Sequence, residues 1–241
     1  NLHRLPYNAR NHEYYSEDAV LTAGQGTAYA AAAMEYGVII APKHLAFNDT
    51  EINRTGVSVF MTEQQARENE LRGTQAAIED AGALGVMTAF NRVGITAANA
   101  HTGLLKNILR GEWGFKGLES QDFIMNPNYA VLKEYALNGG TMTTFTGENT
   151  MAAVSEKFAY WTTENVGQDT ELMSAIKQAM TWQAYALANS NALDGMASST
   201  RLVSVRTWYD NALVAVQVVF AALTVLAAAM YVLNDRKSKK Q

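Results

Sequence analysis

The sequence predicts an α/β protein, a parallel sheet covered by helices, followed by one transmembrane helix. Three observations lead there. Short, continuously apolar runs, the pattern of strands buried on both faces, alternate with longer helical segments. The helical segments carry start and stop signals that fix their order. Residues 212–233 are 22 positions without a charge, interrupted only by Gln217 and Thr224, which as a helix span about 33 Å.

Taken in order, residues 20–36 are alanine-rich and end at Gly37, a helix with its terminating glycine. Residues 38–41 read as the first strand, buried on both faces. Thr62, with Gln65 three positions on, opens a helix running to about Asp80, and residues 83–90 form the next strand. A helix over 104–110 and a strand over 117–123 follow. The next helix is opened by Asn126-Pro127 and closed by Gly139-Gly140, and residues 141–145 form a further strand. Asp169 caps a long helix ending near Asn191. This order defines βαβ units, arranged as a barrel or an open doubly wound sheet. Gly24-Gln25-Gly26 lacks the further glycine of a dinucleotide fingerprint, and there is no P-loop.

The 241 residues are 48% hydrophobic and 17% charged, with 17 glycines, three prolines and no cysteine. That excludes disordered, collagen-like and proline-rich classes, and removes disulfide frameworks, thiolate metal sites and cysteine nucleophiles. The last 31 residues hold four of the 19 basic and one of the 23 acidic residues, which leaves a net −7 on the first 210. Such a body lacks the clustered cations that release counterions from a polyanion, so no nucleic-acid partner is expected.

Trp208 and Tyr209 at one end of the apolar stretch and Tyr231 near the other match interfacial aromatics, and Arg236, Lys237, Lys239 and Lys240 follow directly. The positive-inside rule then makes the C-terminus cytoplasmic and the body extracellular, in a single-pass protein of the cell membrane. A buried core helix is the alternative. Three regions result: residues 1–207, the body; 208–233, the membrane helix in the lipid bilayer; and 234–241, a basic tail. The opening Asn1-Leu2-His3-Arg4 carries no export signal, so the chain is expected to be the C-terminal part of something larger.

In parallel α/β folds the chemistry gathers at the C-terminal ends of strands. Four places qualify: Lys43-His44, Asn91-Arg92, Asp122, and Thr143-Thr144. Cations and a carboxylate on one rim suit a hydroxyl-rich neutral ligand such as a sugar. A helix cap for Asp122 and a surface pair for Lys43 and His44 are the plainer readings.

The run Asn1-Leu2-His3-Arg4 with Pro6, Arg10-Asn11-His12-Glu13 and Tyr15-Ser16-Glu17-Asp18 resembles a conserved opening block of glycoside hydrolase family 3, the β-glucosidase-like exo-glycosidases. Lys43 to Glu51 with Asn53-Arg54 is similar to that family's K-H-F-A-x-N-x-x-E-x-x-R block. Gly85-Val86-Met87 through Phe90-Asn91-Arg92 resembles its G-V-M-x-S-Y-N block, and Leu109 to Gly117 its L-R-x-E-W-G-F-x-G block.

The resemblance implies the C-terminal portion of a (β/α)8-type barrel, completed by an N-terminal half in the same polypeptide or a separate chain. It implies a retaining exo-glycosidase releasing terminal β-linked sugars. Asp122, five positions after Gly117, would be the nucleophile, and Arg10, Lys43, His44 and Arg54 would bind the carbohydrate substrate, with Phe90 and Phe123 against the sugar. The Lys, His and Arg charges would help keep Asp122 ionised. No cofactor and no metal are expected. The absence of a D-S-H triplet favours the glucosidase-like branch over the N-acetylglucosaminidase one. In that branch the acid/base Glu comes from another domain, and none of Glu13, Glu51, Glu63, Glu68 or Glu148 has a motif that nominates it. The chain departs from the family pattern at Ala9, Pro42, Gln121 and Phe123. A non-catalytic, membrane-tethered sugar-binding or assembly subunit is the alternative function.

Overall fold

The computed structural model describes residues 1–123, 131–144, 161–196, 200–201 and 203–238. It divides into two units, Asn1–Asp194 and Gly195–Gln241.

Among the described residues the first unit carries six strands: β1 (Lys43–Leu45), β2 (Ser58–Val59), β3 (Gly85–Thr88), β4 (Arg92–Val93), β5 (Thr96–Ala97) and β6 (Leu118–Gln121). β1, β3 and β6 form a parallel sheet in that order, and a parallel bridge from Ser120 to Met142 continues it beyond β6. A second sheet runs β2-β4-β5, with β4 and β5 antiparallel around Gly94, which takes the positive φ of 59° that a tight turn needs.

Helices separate the strands of the main sheet, as the sequence predicts. α1 (Ala19–Met34) starts where the Asp18 side chain accepts from the Leu21 N–H, and the chain turns at Gly37 with φ 70°. Thr62 caps a turn of α-helix (Glu63–Gln65) that widens into a π-helical turn (Ala66–Glu70) before α2 (Arg72–Glu79). The helix expected over 104–110 is wound as a wider π-helix, Gly103–Glu112. α3 (Leu132–Leu137) ends at Gly139, while its expected opening at Asn126-Pro127 lies outside the described residues. α4 (Thr163–Gln168) leads into α5 (Thr170–Ala188), whose first turn is capped by Asp169 accepting from the Leu172 N–H.

The core lies between the main sheet and this helical layer. Leu45, Val86, Leu105, Leu109, Trp113, Phe115 and Tyr135 meet there, and Ala30 of α1 packs on Ala77 of α2. At Gly117 a side chain would strike the Leu84 carbonyl, so β6 can approach β3 closely only with glycine there.

One strand departs from expectation. Residues 38–41 only lead into the ladder: Ile40 and Pro42 carbonyls accept from Gly85 and Met87, but the regular strand is Lys43–Leu45 and Val38 is 44% exposed. Among the described residues β1 pairs with β3 alone, and the run before it is part-exposed. The strand expected over 141–145 is represented by the single Met142 bridge, and Phe145 lies outside the described residues.

In the second unit, α6 (Trp208–Ser238) begins with a reciprocal cap: the Thr207 N–H and hydroxyl donate to Asp210 Oδ2 at 2.8 and 2.7 Å. Its span Trp208–Asp235 contains an 18-residue stretch of mean hydropathy 2.4, has no buried residue, and is long and apolar enough to cross a bilayer.

Candidate active site

Asp122 stands just past the end of β6. Its N–H donates to the Thr88 carbonyl at 3.2 Å, so the sheet ladder fixes its backbone, and Oδ1 accepts the Phe123 N–H at 2.8 Å. The side chain is buried. Oδ2 lies 3.3 Å from His44 Nε2, in an alignment that does not make a hydrogen bond, and among the described residues it has no other partner.

His44 reaches this point through an irregularity. Strand alternation sends neighbouring side chains to opposite faces, so Lys43 and His44 should diverge. The β1–β3 register shifts between Lys43 and Leu45, and both side chains reach the site, Lys43 onto Glu13 and His44 beside Asp122.

Around Asp122 runs a chain of alternating charges. Glu13, on a short 3-10 turn three positions after Arg10, grips that guanidinium at both oxygens, 2.7 and 3.0 Å, and holds Lys43 Nζ at 2.9 Å. Glu51 accepts from Arg54 Nη1 at 2.7 Å and from Asn48 Nδ2 at 3.2 Å, and lies 3.8 Å from Arg10 Nη1. The order is Arg54, Glu51, Arg10, Glu13, Lys43. Arg54 also lies over the Phe90 ring, 4.4 Å from its centroid.

Burial decides the electrostatics. It raises the Asp122 carboxyl above its ordinary value, against the pull of the Phe123 N–H and of Arg54, Arg10 and Lys43. Burial, then Arg10 and Lys43, push His44 down to about 3, so its imidazole is neutral at physiological pH. The expectation that Lys, His and Arg charges help keep Asp122 ionised is corrected in one respect: His44 is neutral and supplies no charge, while Arg54, Arg10 and Lys43 do act against the upward shift. Glu13, held first by Arg10 and then by Lys43, falls to about 2.

Of the residues nominated from sequence, Arg10, Lys43, His44, Arg54, Phe90 and Asp122 gather here. Phe90 is buried beneath Arg54, whereas Phe123 is 44% exposed and contributes its main-chain N–H. Sequence reasoning weighed Glu13 and Glu51 only as acids and missed their place between the cations. The signal was present in the three-residue spacings from Arg10 to Glu13 and from Glu51 to Arg54. Glu63 binds Arg67 and Glu68 accepts from Gln64, both at the exposed surface, and Glu148 lies outside the described residues. Among the described residues no group of three His, Asp or Glu side chains is arranged to hold a metal.

Gln121, where the family pattern has Ser or Thr, is turned the other way. Alternation along β6 puts it on the face opposite Asp122, where it is buried and accepts from Asn99 Nδ2 at 2.6 Å.

Fold and site together define an α/β protein with a carboxylate-centred, cation-ringed site at the C-terminal edge of a parallel sheet. The chain belongs to glycosyl hydrolase family 3: residues 1–158 match the model of the family's N-terminal domain. It is similar to a probable beta-glucosidase J of Emericella nidulans, 39% identical over 123 residues, which are 51% of this chain and 14% of that protein. A beta-glucosidase of Rhizobium radiobacter is 37% identical over 123 residues, 51% of this chain and 15% of that one. Among solved structures, beta-glucosidase 3B from Thermotoga neapolitana, in complex with alpha-D-glucose, superposes with a TM-score of 0.69 at 27% identity, over 80% of this chain and 26% of that one. The chain thus spans about a seventh of these curated relatives and a quarter of the solved structure.

Proposed function

We propose that this chain is the C-terminal portion of a (β/α)8-type catalytic barrel in a retaining, β-glucosidase-like exo-glycosidase, with Asp122 as nucleophile. The observation that carries the reading is the state of Asp122. One oxygen is fixed by a main-chain N–H, and the other is buried and without a hydrogen-bond partner among the described residues, beside neutral His44. A lone pair on that oxygen attacks the anomeric carbon as the bond to the aglycone oxygen breaks, and a protonated acid gives that oxygen its proton. Water then adds to the anomeric carbon from the side the aglycone left, opposite Asp122, losing its proton to the same acid/base group, and Asp122 leaves as a carboxylate.

Arg10, Lys43, His44 and Arg54 bind the hydroxyls of the terminal sugar in this reading, with Phe90 and Phe123 nearby. Glu13 and Glu51 are tied to cations and do not suit a proton donor, which fits an acid/base residue supplied from beyond this barrel portion. Gln121 faces Asn99 and does not touch Asp122, so that departure gives no support to the non-catalytic alternative.

α6 is read as a single-pass anchor of the cell membrane, with the catalytic part outside and the basic tail inside. The support is its 28-residue apolar span without a buried residue, together with the flanking aromatic and basic residues. The other half of the barrel is supplied by the same polypeptide or a separate chain.

The test is Asp122→Asn in the complete protein. Hydrolysis of an aryl β-glucoside is expected to fall by about a thousandfold or more; hydrolysis at the original rate removes Asp122 from the chemistry.

A further inference from the structure

We infer that Glu13 and Glu51 make the sugar site selective for neutral over anionic glycosides. The inference deepens the glycosidase reading and rests on it.

Three cations beside a sugar pocket would ordinarily recruit an acidic sugar, because guanidinium groups pair with carboxylate in a fork. Here those cations are already engaged. Arg10 is held by both oxygens of Glu13, Lys43 shares one of them at 2.9 Å, and Arg54 is held by Glu51 at 2.7 Å. Counting the site, Arg10, Lys43 and Arg54 are matched by Glu13, Glu51 and Asp122, while His44 is neutral.

A uronate entering this ring finds no net positive field, and must either displace a resident carboxylate or lie against one. A neutral hexose meets neither penalty. Its hydroxyls donate to the carboxylates and accept from the nitrogen donors of the same chain of charges. The carboxylates therefore act as positioning groups for the cations and as a filter against anions.

Titration of the complete protein with D-glucose and with D-glucuronate reads this directly. The wild type is expected to bind glucose in preference. Glu13→Gln removes one negative charge while keeping the side-chain shape, and is expected to move the ratio of the two affinities toward glucuronate by about tenfold, the order for one uncompensated charge a few ångströms away at a half-exposed site. Glu51→Gln is expected to move it the same way, and Glu13→Asp to keep the wild-type ratio.

A merely structural role would weaken both ligands together and could not raise the affinity for glucuronate. Unchanged ratios in both Gln variants, or a wild type that prefers glucuronate, overturn the inference. Binding reports the preference without turnover, so a protein that binds glucose but hydrolyses no glycoside defeats the glycosidase reading alone.

Discussion

Glu119 and Asp122 lie three residues apart, at the same edge of one sheet, in opposite surroundings. Glu119 is on the helix-covered face of β6, fully buried, with neither carboxyl oxygen hydrogen-bonded among the described residues. Its neighbour Tyr135 spends its hydroxyl on main chain, 2.9 Å from the Glu119 carbonyl and 2.8 Å from that of Met142. Arg110 is likewise committed to the carbonyls of Phe115, Gly117 and Gly139, between the rings of Phe115 and Trp182. Burial pushes Glu119 up to about 7. Asp122 is also raised by burial, but three cations and a main-chain N–H oppose the shift. The contrast teaches that desolvation alone does not make a nucleophile. What separates the two carboxyls is compensation: three nearby cations and a main-chain N–H at the strand end act on Asp122.

The larger test of this contrast is Glu119→Gln. The folded value lies above the ordinary 4.5, so between that value and about 7 the folded state keeps a proton that the unfolded chain releases. Stability therefore falls as pH rises through this window and stays lower above it. The Gln variant cannot ionise and is expected to be more stable than wild type at pH 8 by on the order of 1–3 kcal/mol, with the two converging near pH 4. Denaturant unfolding across pH reads this directly, and parallel profiles for the two proteins would break the comparison.

A smaller effect is expected at the residue between them. Gln121→Ser restores a residue type usual for the family but loses the 2.6 Å bond from Asn99, at a cost of about 1 kcal/mol in stability. Hydrolysis by the complete protein is expected to stay within about threefold of wild type. A large gain in rate would mean that Gln121 reaches the nucleophile after all.

Much of the frame was legible in the sequence because local rules govern it. Thr62 and Asp169 each accept the main-chain N–H expected of a helix cap, and Gly37 and Gly139 turn the chain with positive φ. Asp122 was legible because its distance from Gly117 is set by one strand. The register shift at Lys43–Leu45 was not, since it lies in the pairing with β3, more than 40 residues away. The neutrality of His44 follows from burial beside two cations, which no local pattern encodes. The β2-β4-β5 sheet escaped because strands of two residues leave no periodicity to read. The π winding of 103–112 escaped because its apolar spacing passes for an ordinary helix.

The most direct measurement is to trap the covalent intermediate. The complete protein, incubated with a 2-fluoro glucosyl donor and digested, is expected to carry the added sugar mass on the peptide containing Asp122. The same mass on a peptide with a different carboxylate, from an enzyme that turns the donor over, would contradict the account.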